Sequence, residues 1–188
     1  MASTGGPRAG GSGIKDEGKF RQRVDDHYRV IASAKSTIKV ASPIHNFCAL
    51  SLCVVAGISL YLWMTETAPR PDDALSESIF FDAAGLLSIT STVVLLVSAR
   101  CGTQSRLAAG AKDAEKHGAE YGSRLFMLVC VLLVALCVEA VGPAPPLPLL
   151  YAFYGLSALD LVGALVGLRG SSTLKRGFEM QKAKSKAK

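Results

Sequence analysis

Residues 44–64 read IHNFCALSLCVVAGISLYLWM, an unbroken stretch without Asp, Glu, Lys or Arg. As a helix it rises about 31 Å, enough to cross the hydrocarbon core of a bilayer. Three further apolar runs follow. Ile79 to Ser98 carries only Asp82. Arg124 to Val141 is uncharged from Leu125 to Val138 and is then interrupted by Glu139. Leu147 to Leu168 holds Asp160. An unpaired backbone cannot cross lipid, and none of these runs alternates like a barrel strand. The expected fold is therefore an all-α integral membrane protein with four transmembrane helices. A re-entrant segment is the alternative for the short third run and the acid-bearing fourth.

The chain has 188 residues, a net charge of +6 and a hydrophobic fraction of 49%. Its basic residues are placed unevenly. The segment before Ser42 holds Arg8, Lys15, Lys19, Arg21, Arg23, Arg29, Lys35 and Lys39. The stretch between the second and third runs holds Arg100, Arg106, Lys112 and Lys116, with Arg124 at its border. Seven more lie from Arg169 to Lys188, and the loops 65–78 and 142–146 contribute Arg70 alone. The positive-inside rule puts both termini and the middle loop in the cytoplasm. It also explains the basic charge without a nucleic-acid partner, for which no binding fold is visible. No secretory signal is expected, because the first apolar run begins after some forty polar residues and is too long for a signal core.

The expected organisation has a flexible tail over 1–18, where Gly5-Gly6-Pro7 and Gly10-Gly11-Ser12-Gly13 cluster. A basic helix follows over 19–42, and the membrane domain over 43–168 has a cytoplasmic loop at 99–123. A disordered basic tail is expected over 169–188. In the basic helix Phe20, Val24, Tyr28, Ile31 and Ile38 share one face, while Lys19, Arg21, Arg23, Arg29 and Lys35 lie largely elsewhere. Such a helix suits the anionic cytoplasmic leaflet or the protein's own cytoplasmic side. Ser42-Pro43 should end it. In the middle loop Leu107, Ala108, Ala109, Ala111, Ala114 and Ala119 favour helical extension, against several glycines.

The opening Met1-Ala2-Ser3 and Gly5-Gly6-Pro7 resemble the start of the Jagunal family of endoplasmic-reticulum membrane proteins. So do Phe20-Arg21-Gln22-Arg23-Val24, then Tyr28, Lys35-Ser36 and Lys39, just ahead of the first span. The motif likeness covers about residues 1 to 39; beyond it the agreement is in layout. The Ala-, Leu- and Val-rich membrane region and the long charged middle loop depart from the family. The resemblance implies a reticulum protein that organises that membrane and serves vesicle traffic and exocytosis in the early secretory pathway. The end Lys184-Ser185-Lys186-Ala187-Lys188 is similar to the dilysine retrieval signal that coatomer reads, with Lys184 and Lys186 as its basic pair.

Asp82, Glu139 and Asp160 are the intramembrane acids, and ionisable groups in spans are functional candidates. Asp82 and Glu139 can reach the luminal interface. Asp160 lies thirteen residues into its run, with Ser88, Ser91 and Thr92 as plausible partners in a polar clasp or an ion relay. Gly163 and Gly167 form a small-residue face suited to homo-oligomer packing. Cys101, just past the second run, is a candidate for acylation, and no luminal disulfide is expected. His27, His45 and His117 lack metal-ligand spacing, and no catalytic set or phosphate loop emerges. No metal or cofactor is expected. A non-enzymatic reticulum protein is the leading reading. The alternative is a small ion- or proton-coupled transporter using the three acids, against which stands the lack of an internal repeat.

Overall fold

A computed structural model describes residues 12–66, 74–141 and 147–186; some side chains inside these segments are also outside the described set. Four helices account for almost all of it: α1 (Ser12–Glu66), α2 (Ala74–Leu107), α3 (Ala111–Val141) and α4 (Leu147–Lys186). No strand occurs among the described residues. They form an antiparallel ring in which α1 packs on α2 and α4, and α3 packs on α4 and α2. The start of α1, the end of α4 and the short 108–110 connection lie at one end of the bundle, called here the terminal end. Three stretches are long and apolar enough to cross a membrane: Tyr28–Tyr61, Ala111–Cys137 and Pro148–Ala183.

The helices are apolar on the outside, and their interior mixes large apolar residues with many small and polar ones. Phe47, Leu50, Val54, Tyr61, Val93, Leu96, Phe126, Leu133, Tyr151 and Val162 are all exposed. On α1 the buried series is Ala34, Ile38, Ala41, His45, Cys48, Leu52, Val55 and Ser59, spaced alternately by four and three residues. On α4 it is Leu150, Phe153, Ser157, Asp160, Ala164, Gly167, Ser171 and Leu174. On α2 it is Ser88, Ser91, Leu95, Ser98, Gly102 and Ser105. Ala114, Tyr121, Leu128 and Ala135 recur every seventh residue on α3. This is a heptad pattern, the periodicity of left-handed helix packing. Its occupants suit a lipid-facing bundle, where close backbone approach replaces the hydrophobic drive of water.

The α1–α4 seam shows the principle most clearly. Gly163, Gly170 and Gly177 stand seven residues apart and meet Ile44 with His45, Ile38, and Ile31 respectively. A methyl group on Gly170 would sit 2.7 Å from Ile38 Cγ1 and 3.4 Å from the Ile38 backbone nitrogen. The seam continues toward the terminal end, where Ala34, Ile38, Ala108, Ala114 and Leu174 form a second core.

Several expectations change here. The segment 19–42 is not a separate helix, because α1 runs from Ser12 through Pro43 to Glu66. Pro43 removes the amide that the Lys39 carbonyl would accept from. The fully buried Ala41 and His45 hold the chain in register on either side of it. Residues 12–18 are helical as well. Ile31 and Ile38 face α4, so this part of the apolar face is covered by the protein's own terminal-end extension, while Tyr28 is exposed. Residues 169–186 continue α4, with Gly170, Ser171, Leu174 and Gly177 buried, and are not a disordered tail. The 99–123 loop becomes the end of α2, a three-residue connection and the start of α3. The Gly163/Gly167 face is filled inside one chain, by Ile44 and His45 at Gly163 and by Tyr121 at Gly167, which leaves it no room for a second copy.

Gly167→Ala and Gly170→Ala should each destabilise the detergent-solubilised protein by about 1–3 kcal/mol through overpacking. Gly57→Ala and Gly155→Ala, whose new methyl groups meet nothing within 4 Å, should be neutral or stabilising through helix propensity. Thermal unfolding of the four variants distinguishes the two classes.

Candidate functional site

The heptad brings His45 of α1 and Asp160 of α4 together, both fully buried, with 2.5 Å between Nδ1 and Oδ1. Which atom donates depends on the imidazole tautomer. Taking two ionisable groups out of water is costly, and only a close pair offsets it. Glycine makes the approach possible: a methyl group on Gly163 would stand 3.2 Å from His45 Cε1. Tyr121 of α3 then stacks on the imidazole, with ring centroids 6.1 Å apart and planes at 28°. Its ring lies over Gly167, where a methyl group would come within 2.5 Å of Cε1. Its hydroxyl lies against Gly102 of α2, where the corresponding distance is 2.7 Å. All four helices therefore build one layer around the pair.

Much of the polar capacity in this interior is unused. His45 Nε2, Asp160 Oδ2, the Tyr121 hydroxyl, Ser88, Ser91, Thr92 and Ser157 Oγ are buried without a hydrogen-bond partner among the described residues. Each such group is an expense that native interiors usually avoid. Nearer the terminal end, Ser105 and Ser171 hydrogen-bond across the α2–α4 diagonal at 3.1 Å.

A second cluster lies between α2 and α3. The Cys101 thiol donates to Glu120 Oε2 at 2.7 Å, and His117 Nδ1 is 3.4 Å from the same oxygen. Burial pushes the Cys101 thiol above its ordinary value; the Glu120 hydrogen bond adds to this, and neighbouring Arg124 opposes it. One Arg124 guanidinium nitrogen, Nη1, is buried without a partner.

The structure thus reassigns Asp160: its partner is His45 rather than Ser88, Ser91 or Thr92. Because His45 is the second residue of the 44–64 stretch, the pair lies nearer the terminal end than Asp160's depth in its own run implies. Cys101 is buried with its thiol engaged, an arrangement that keeps it from an acyl donor. Tyr28 is exposed, and Lys35 is half-buried on α1. The side chains of Phe20, Arg21, Arg23, Val24, Asp82, Glu139, Lys184 and Lys186 lie outside the described residues. Sequence reasoning missed His45, Tyr121 and the Cys101–His117–Glu120 group. The seven-residue recurrence of Ile31, Ile38 and His45 was the available signal for the first. Comparison with protein-family models, curated proteins and solved structures gave no match.

The Tyr121 ring and hydroxyl contribute oppositely. Tyr121→Phe should leave stability unchanged or raise it, because it deletes an unpartnered buried hydroxyl. Tyr121→Ala should cost about 3–5 kcal/mol by opening a cavity over His45 and Gly167. Chemical denaturation of both variants in detergent reads the difference.

Proposed function

We propose that the chain is a non-enzymatic, four-span membrane protein of the endoplasmic reticulum, with both termini in the cytosol. Its task is to organise that membrane and support vesicle-mediated transport, including exocytosis, in the early secretory pathway. The observation that carries the membrane part is a bundle with large apolar residues over its outer surface and many small or polar ones in its interior. The grouping of Arg29, Lys35, Lys39, Arg100, Arg106, Lys112, Lys116, Arg169, Lys175 and Arg176 at the terminal end supports the orientation. The location and task rest on the Jagunal-like residues of the first 39 positions.

In this reading the terminal-end extension is the working surface. It is a packed helical platform whose basic outer face suits anionic lipid, and α4 carries Lys184 and Lys186 at its last turn. Coatomer is the partner that fits this pair. Substituting both lysines with Ser should move the protein from the reticulum to later compartments and abolish coatomer capture. Retention in the reticulum with coatomer still bound would overturn the retrieval role.

The unpartnered polar atoms around His45 and Asp160 favour a second reading, an ion- or proton-coupled carrier. Asp160→Asn separates the two. Loss of ion or proton flux in a normally folded and located variant indicates the carrier, whereas loss only through instability indicates the scaffold.

A further inference from the structure

We propose that Cys101, His117 and Glu120 form a binding site for a divalent transition metal of the zinc class, pinning α2 to α3 at the terminal end. The three donor atoms, Sγ, Nδ1 and a carboxylate oxygen, all lie within 4.8 Å of one another. They come from two helices: His117 and Glu120 are neighbours on one face of α3, and Cys101 faces them from α2. Side-chain exposures of 12% for His117 and 33% for Glu120 leave a path for an ion from the aqueous side.

The spacing suits tetrahedral coordination. Metal–ligand bonds of about 2.0–2.3 Å put neighbouring donor atoms roughly 3.3–3.6 Å apart. The His117–Glu120 separation is already 3.4 Å. The Cys101–Glu120 separation of 2.7 Å is that of a hydrogen bond, held by the thiol proton. Metal binding removes that proton to solvent, forms the metal–sulfur bond and lets the two donors part by less than about 1 Å. No oxidation is involved. A water completes the fourth position, as in open zinc sites.

The donor set selects the ion. A thiolate with an imidazole suits zinc and its cobalt analogue, whereas magnesium and calcium require oxygen ligands throughout. Arg124 supports the deprotonated sulfur from outside the coordination sphere, where its unpartnered buried nitrogen is ready to donate. The bland counterpart is a plain thiol–carboxylate clasp between helices, which would need no ion.

The test uses the full chain, purified in detergent, stripped with chelator and titrated with Co²⁺ and then Zn²⁺. Expected are sulfur-to-cobalt charge-transfer and tetrahedral visible bands saturating near one ion per chain, both displaced by Zn²⁺. Cys101→Ser should abolish the charge-transfer band. His117→Ala and Glu120→Gln should each weaken metal binding by about tenfold or more. Cys53→Ser should change nothing. Circular dichroism and gel filtration establish that each variant is folded, and if Cys101→Ser is not, the His117 and Glu120 variants carry the test. Absence of the thiolate–cobalt band in the wild type, its survival in folded Cys101→Ser, or unchanged affinity in both α3 variants would overturn the site.

Discussion

Helices in hydrocarbon gain little by hiding leucine from lipid, so their association depends on how closely they approach and on the polar groups they bring together. In this bundle both requirements converge on the His45–Asp160 pair. The pair is tolerable only because it is close, and it is close only because Gly163 lets α1 and α4 meet. Tyr121 completes the layer across the ring by lying on the imidazole, which Gly167 and Gly102 permit. The same spacing then extends in both directions along the seam. Toward the terminal end it places Ile38 on Gly170 and Ile31 on Gly177; in the other direction it leads to Leu52 in the membrane-level core.

This register keeps the helices packed beyond the uncharged runs of the sequence. The second core of Ala34, Ile38, Ala108, Ala114 and Leu174 joins the extensions of α1, α3 and α4 to the 108–110 connection. The Lys175 amine adds a 3.0 Å ion pair to Glu115 across α3 and α4, though an exposed pair of this kind contributes only modestly. A stiff, basic extension is well suited to present α4's last turn at a fixed distance from the bilayer. That property serves the proposed meeting with a cytosolic coat better than a loose tail would.

The all-helical fold and the three long apolar helices were legible in the sequence because hydropathy responds to the membrane directly. The interior was not. Leu50, Val54 and Phe47, large apolar residues, face outward, while the buried heptad positions mix Leu52, Val55, Leu95 and Phe153 with Ala, Ser, Gly, Cys, His and Asp. Gly163 and Gly167 were recognisable as a packing face, but spacing by four residues does not say whether the partner is another copy or another helix of the same chain. Pro43 read as a boundary on local grounds, and tertiary packing on both sides overrides it. His45 carried no local sign of its partner, which lies 115 residues away.

A double-mutant cycle on His45 and Asp160 tests the account most directly, using His45→Leu, Asp160→Leu and the double variant in reversible unfolding from detergent or bicelles. Each single change leaves one buried ionisable group unpaired and should cost about 3–5 kcal/mol, while the double variant should lie well above their sum in stability, with a coupling of at least about 2 kcal/mol. Additive losses, with no coupling between the two positions, would contradict a pair that holds α1 to α4.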